Sequence, residues 1–506
     1  MAENDIPTIK DAARETLPPH APVRAPDAPD LSLFARRVGD VASRAPIVVD
    51  PDLPIREAAR IMLKEGVGSL LVGRPPADVT GIVTDTDLRK AVALGRDLAS
   101  GVKTIMSGPV AAIAGHESCF DALLAMMARK VRHLAVTGRE GTTGLITAHD
   151  ILLLHGASPL SLFQEIRSQR DFAGLYPLLG KAPRVIRALL DNGARAGHIT
   201  GLITVLNDHI LHKIIELTRR EIGPPPVAYC WLAMGSEGRR EQTFATDQDN
   251  ALVHADSPDE PVRRAAAVYF QAFAERVVGH LEKAGFPRCK GDMMAVNPAW
   301  RKSLSAWKDT FDDWIAVPEP KEVLHSTIFF DFRGVAGNTE LAEDLRGHVA
   351  RRAPQNGIFL RHLAADCLVT RIPLTLFRGI AVEKRGEHKQ TLDLKTRAMV
   401  PFQDFARVMA LAAGVVETGT LRRIETLARE GHIPERLGRE AAQAFEFLLT
   451  LKLAHQLARV ERGLPPDNHI DPRSLSEMDK GTLRDALSVI GSMQSFLKEL
   501  FHLNAG

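Results

Sequence analysis

The order of apolar and polar positions along the chain changes its period several times, and each change predicts a different kind of element. Two early stretches repeat one another. AARIMLKEGVGSLLV (58–72) aligns with ALLAMMARKVRHLAV (122–136) at an offset of 64, and GIVTDTDL (81–88) aligns with GLITAHDI (144–151) at an offset of 63. Each copy predicts an amphipathic helix, a short apolar strand, a turn, a second strand and the start of another helix. Residues 152–222 read as mostly helical. HITGLITVLNDHILHKIIELTRREI (198–222) keeps apolar residues at three- and four-residue spacing, and GPPP (223–226) ends it, since three prolines cannot continue a helix. VAYCWLAM (227–234) then reads as a buried strand, NALVHA (250–255) as a second, and STIFFDFRGV (326–335) as a third. From 336 onward the pattern is helix after helix, with sustained helical periodicity over 401–431 and 438–463.

Composition narrows the class. The chain has 506 residues, too many for one ordinary domain, and its 45% hydrophobic and 25% charged residues are those of a soluble globular protein. A formal net charge of +2, without a basic stripe, argues against nucleic acid as a partner. No stretch is apolar for long enough to span a membrane, and the charged N-terminus lacks a signal-peptide core. Cys119, Cys230, Cys289 and Cys367 lie far apart, as reduced thiols of a cytoplasmic protein would. Residues 1–35, rich in Pro, Ala and Asp, are expected to form a disordered leader.

The densest chemistry lies in GSEGRREQTFATDQDNALV (235–253). Gly235 and Ser236 follow a strand and open a helix, a place where backbone amides and a hydroxyl can meet phosphate oxygens. Asp247 and Asp249 flank Gln248 at the entry to the next strand, so their carboxylates fall on one face. Two like charges held together are costly unless a cation sits between them, and Mg²⁺ takes a few carboxylates plus phosphate oxygens. In the third strand, alternation sets Phe329, Asp331 and Arg333 on one face. An Asp amid aromatic residues is expensive to bury alone, which makes Asp331 either a third acid of the site or half of a salt bridge to a nearby Arg. Arg239 and Arg240 follow the turn and are either phosphate neutralisers or a solvated helix face. Further along, Lys395 and Arg397 are candidates for phosphate contact, while His455 and Gln456 face a core or a cleft.

The repeat, ending both times in G-[IL]-[VI]-T-x-x-D-[LI], resembles a tandem pair of CBS domains (a Bateman module). That resemblance implies a cleft for AMP, ADP or ATP, with Thr84, Asp87, Thr147 and Asp150 on phosphate or ribose hydroxyls. The G-S turn with D-x-D resembles the DNA polymerase β type of nucleotidyltransferase and is similar to the N-terminal domain of the protein-PII uridylyltransferases. LNDHI, GPPP, MAVNPAWRKSLSAW and FFDFR resemble the bacterial proteins that join a CBS pair to such a domain, although Asp292 stands where a small residue is expected. The implied fold is multidomain, α/β plus all-α. It comprises a leader (1–35), a tandem CBS pair (36–155), a helical linker (156–222), a polymerase-β-like nucleotidyltransferase domain (223–335) and a helical substrate-binding bundle (336–506). The resemblance implies Gly235 and Ser236 on the phosphates of an NTP, and two Mg²⁺ ions held by the catalytic acids Asp247, Asp249 and Asp331, with Asp331 also helping to deprotonate the acceptor hydroxyl. It implies transfer of an NMP to a hydroxyl, with a PII-like signalling protein as one acceptor, in a homodimer. The alternative is a non-catalytic nucleotide sensor.

Overall fold

The computed structural model describes residues 37–503 apart from 43–45, 75–77, 139–140, 152–158, 192–193, 245, 317–326 and 376–378; the expected leader lies outside the described residues. The two repeat copies fold alike. In the first, Val48–Val49 runs parallel to Ser69–Arg74, which pairs antiparallel with Asp78–Thr84. In the second, Ala112–Ala114 runs parallel to His133–Gly138, which pairs antiparallel with Gly141–Thr147. Even the register repeats. Leu70 faces Val83 and Leu134 faces Ile146, the same pair carried across the 64- and 63-residue offsets, with an irregularity after Val72 in one copy and after Val136 in the other. A hairpin buried on one face tolerates no slip of register, because one residue would turn its apolar set outward.

Packing treats the copies differently. Val49, Ala58, Met62, Leu70, Val72, Val83 and Val102 form a small core of the first copy alone. The second copy shares one continuous apolar core with everything downstream. The helix Cys119–Ala128 packs on the long linker helix Ala196–Ile222, which stops at Gly223 before the three prolines.

Past the linker lies a four-stranded sheet in the order Arg333–Gly337, Tyr229–Ala233, Asn250–His254, Arg301–Ser303. The first two pairings are antiparallel and the last is parallel. All five residues of Tyr229–Ala233 are buried, as a central strand covered on both faces requires. The strand expected over 326–335 is shorter than its alternation suggested. Ser326 is outside the described residues, Thr327–Phe330 is a 3₁₀ turn, and the strand is Arg333–Gly337. Asp331 therefore sits in the bend between the two elements and not on a strand face. The C-terminal part is helical, built on Val400–Ala413, Thr420–Arg429, Glu435–Glu461 and Glu477–Leu500. Among the described residues no helix is long and apolar enough to cross a membrane.

One glycine fixes how the first strand meets the bend. A Cβ on Gly238 would overlap the Asp331 carbonyl oxygen and come within 2.9 Å of the Ala233 carbonyl oxygen. Both are backbone atoms that cannot swing aside. Gly238→Ala is expected to destabilise the protein by about 3 kcal/mol, the upper range for overpacking a filled interior, measured by urea denaturation; an unchanged midpoint would refute this reading of the contact.

Candidate functional site

The bend after Tyr229–Ala233 is built by Gly235, whose φ of +53° favours glycine. A Cβ on Gly235 would lie 3.1 Å from an Asp249 carboxylate oxygen and 2.9 Å from the Ile328 side chain. The G-S turn is thus packed directly against the second acid of D-x-D, and the Met234 amide donates to the Asp249 carbonyl at 2.9 Å. The intervening Gln248 turns the other way. Its side-chain amide donates to the carbonyls of Val278 (3.2 Å) and Phe286 (2.8 Å), so it is fixed in the interior while Asp247 and Asp249 share the opposite face.

Ligand atoms of Asp247, Asp249 and Cys289 all lie within 4.8 Å of one another. Burial, and then the charge of Asp247, pushes the Asp249 carboxyl up to about 6. Cys289 lends it a side-chain hydrogen bond, and burial together with Asp249 pushes the thiol up to about 11. Cys289 is therefore a protonated donor to Asp249 and not a thiolate. The two carboxylates fit a hard divalent cation that draws its remaining ligands from water and phosphate. Sequence reasoning missed Cys289, forty residues beyond Asp249, with no spacing to mark it.

Asp331 does not join this group. Its side chain is 0% exposed and both oxygens are taken by arginines. Oδ2 accepts from Arg239 Nη1 (2.7 Å), Arg407 Nη2 (2.6 Å) and Arg407 Nε (3.1 Å), and Oδ1 accepts from Arg423 Nη1 (2.6 Å). Against the cost of burial, these guanidinium charges hold the carboxyl far below the ordinary range. The expected third metal ligand is instead the centre of a buried ion cluster, which corrects both its metal and its catalytic assignment. Arg239 is corrected with it, since its guanidinium also bonds Glu241 at 3.0 Å and is buried. Arg240, in contrast, is exposed at a φ of +60° and lines a cavity of about 660 Å³ that Asp247 and Asp249 do not line.

The helical part supplies the opposite charge. Lys395 lowers the pKa of Asp249 and Lys452, so it lies near both. Lys452 is buried, at 6% exposed, and burial pushes it down to about 7, with Lys395 and Arg239 pushing the same way. Arg397 is not free for phosphate contact, since it pairs with Glu383 at 3.2 Å. His455 pairs with Asp467 at 2.8 Å, and Gln456 accepts from the Phe244 amide at 3.1 Å while donating to Asn468. Asp292 adopts φ +56° and accepts from Asn297 at 2.9 Å and, through its carbonyl, from the Trp300 indole, so it shapes its own loop.

At the repeat, Thr84 caps the helix Asp85–Ala93. Its amide and hydroxyl bond Asp87 Oδ2 at 3.0 and 2.7 Å. Thr147 and Asp150 make the same contacts at 2.8 and 2.7 Å. The T-x-x-D signature is thus a capping box in both copies and engages one carboxylate oxygen of each Asp. Asp87 and Asp150 both act on His133, so the two boxes lie in one neighbourhood.

Comparison with known families accounts for most of the chain. Residues 38–94 and 102–155 match the CBS domain, residues 180–321 match the family described as "Putative nucleotidyltransferase DUF294", and residues 357–501 match "Putative nucleotidyltransferase substrate binding domain". The chain belongs to the CBS-linked DUF294 family. An uncharacterised 17.7 kDa protein of Acidianus ambivalens is 33% identical over 119 residues, 23% of this chain and 72% of that one. Among solved structures, a CBS-domain containing protein from Agrobacterium tumefaciens is 30% identical, covering 23% of this chain and 97% of its own, with a TM-score of 0.22. A CBS domain protein from Pyrobaculum aerophilum complexed with AMP is 24% identical, covering 23% and 92%, also with a TM-score of 0.22.

Two outcomes follow. Asp331→Asn strands three buried guanidinium groups and is expected to cost 3–5 kcal/mol, the usual price of breaking a buried pair, read by urea denaturation; a cost below about 1 kcal/mol would be incompatible with the cluster. Lys452 has a folded pKa below its unfolded value, so the unfolded chain holds more protons between about pH 7 and 10.5, and wild-type stability rises with pH across that window. Lys452→Met is expected to stabilise by on the order of 3 kcal/mol at pH 6, an advantage that shrinks toward zero by pH 10. Thermal melts across pH check this, and a pH-independent difference would contradict it.

Proposed function

We propose that the protein is a Mg²⁺-dependent nucleotidyltransferase that moves a nucleoside monophosphate from an NTP to a hydroxyl acceptor, under the control of an adenine nucleotide at the CBS pair. One observation carries the reading. The Gly235–Ser236 turn touches Asp249, beside Asp247, while Lys395 brings cationic charge toward the same place.

In this reading the turn's backbone and the Ser236 hydroxyl hold the phosphates, and Asp247 and Asp249 would hold the cation. Bound there, Mg²⁺ would supply charge neutralisation of the triphosphate. The acceptor oxygen bonds to the α-phosphorus, the α–β bridging bond breaks, and pyrophosphate leaves. The acceptor's proton passes to water as the new bond forms. Lys395 neutralises the departing pyrophosphate. With Asp331 committed elsewhere, two carboxylates remain, which suits one resident cation better than the two expected from the resemblance. The acceptor is a protein hydroxyl, as in a PII-like signalling partner. The chain works as a cytoplasmic homodimer, because CBS pairs stack face to face. Thr84, Asp87, Thr147 and Asp150 frame the adenine-nucleotide site.

The second reading, a non-catalytic nucleotide sensor, draws on the same two-carboxylate count, since a site without a third acid can bind a nucleotide and go no further. The two are separated by incubating the purified protein with each labelled NTP, Mg²⁺ and cell lysate. Wild type is expected to transfer label and release pyrophosphate, and Asp247→Asn/Asp249→Asn to lose at least a hundredfold. No transfer by wild type, or equal transfer by both, would establish the sensor.

A further inference from the structure

A cavity of about 750 Å³ lies where the second CBS copy, the linker helices and the four-stranded sheet meet, and none of the residues assigned so far to nucleotide or metal lines it. Its wall is strongly cationic. Lys130 reaches it from the end of the CBS helix Cys119–Ala128, Arg167 from the linker helix Pro159–Ser168, and Lys213, Arg219 and Arg220 from the linker helix Ala196–Ile222. Glu216 is the one carboxylate facing them, and it is already shared between Lys213, at 2.7 Å, and Arg220. Lys130, Arg167 and Arg219 have no acidic partner within salt-bridge distance among the described residues.

A second, independent observation comes from the floor. Tyr229 is 4% exposed, and its hydroxyl is buried without a hydrogen-bond partner. Its ring packs against Phe270 and Phe273, with centroids 5.5 and 5.2 Å away. A buried polar group left unpaired costs about 1–3 kcal/mol and calls for an explanation such as a bound ion. The volume falls within the usual range for small-molecule sites, about 300–1,000 Å³. Three unpaired cations and a phenol donor suit a compact polyanion with several acceptor oxygens, and arginine matches phosphate in geometry as well as charge.

We propose that this cavity is an effector site for a polyphosphate chain, distinct from the CBS capping boxes and from the acidic pair. The chain lies among Lys130, Arg167 and Arg219 and accepts a hydrogen bond from the Tyr229 hydroxyl. A ligand held there touches the regulatory copy, the linker and the sheet at once and restrains their relative placement. The assignment concerns binding alone and stands or falls independently of nucleotidyl transfer.

The test is isothermal titration calorimetry on the full chain with inorganic tripolyphosphate in EDTA. Without a divalent cation the acidic pair repels the probe, and without a nucleoside the probe lacks what a CBS cleft would recognise. Wild type is expected to bind one tripolyphosphate. Arg167→Gln/Arg219→Gln is expected to weaken it at least tenfold, Tyr229→Phe to weaken it severalfold, and Arg263→Gln/Arg264→Gln, an exposed pair elsewhere, to leave it unchanged. ATP run in parallel identifies the source. Equal affinities mean that the phosphate chain alone is read, whereas tighter ATP binding lost in the same double variant means a nucleoside polyphosphate. The proposal is overturned if tripolyphosphate fails to bind and ATP binding is the same in wild type and the Arg167/Arg219 variant. It is equally overturned if the Arg263/Arg264 variant loses as much.

Discussion

The buried carboxylate of Asp331 is the constraint on which the rest of the structure depends. Arg239, Arg407 and Arg423 are all less than a tenth exposed and converge on it, so without Asp331 three like charges would share a dry interior. The arrangement is over-determined. Arg407 also bonds Asp404, and Arg239 also bonds Glu241. Glu241 in turn accepts from the Thr420 amide at 2.6 Å and from Gln403 at 3.2 Å. Arg239 follows the glycine-serine turn, whereas Arg407, Gln403, Thr420 and Arg423 lie on helices of the C-terminal part. The cluster therefore clamps the helical part onto the turn, and Thr418 adds a bond to the Gly238 carbonyl at 2.9 Å.

This clamp separates two jobs that the sequence assigned to one set of acids. The buried acid organises arginines, and the partly buried pair keeps its negative charge available. Burial raises the Asp249 pKa, because Cys289, Lys395 and Arg239 offset its cost only in part. In the helical part the buried Lys452 bears the converse cost. Two unmet charges of opposite sign, each expensive alone, are what a bound metal and phosphate would satisfy. A site tuned purely for stability would have paired them directly.

Local chemistry was legible in the sequence and long-range chemistry was not. The repeat announced its own helix, strand, turn and strand, because each copy carries the same local pattern, and the structure adds that the two hairpins share one register. Asp247 and Asp249 could be placed on one face because only Gln248 separates them. Asp331 could be singled out as costly to bury, and both a metal role and a salt bridge followed from that cost. Its partners Arg407 and Arg423 lie 76 and 92 residues away, so nothing in the sequence could choose between the two. Alternation in FFDFR also misled, since a 3₁₀ turn shares the apolar content of a strand but not its direction. Cys289 and Lys452 carry no local signal either, because both acquire their character from burial.

The linker is more than a spacer between the CBS pair and the four-stranded sheet. Asp208, on the helix Ala196–Ile222, holds Arg333 in a two-pronged pair at 2.9 and 2.7 Å. The Arg333 Nε then donates to the Glu237 carbonyl at 3.0 Å, inside the short helix that Gly235 opens. Three rigid pieces are thus joined by charge-assisted bonds from linker helix to edge strand to turn. The second CBS copy packs on the same linker helix and shares its core, so its displacement must move that helix or break the shared packing. The first copy has a small apolar core of its own, and it is tied to the second through Val38, whose amide donates to the Glu117 carbonyl at 2.8 Å and whose side chain lies in the second copy's core. Asp208–Arg333 is thus the charge-assisted contact that ties the linker helix, and the second copy packed on it, to the turn beside Asp249.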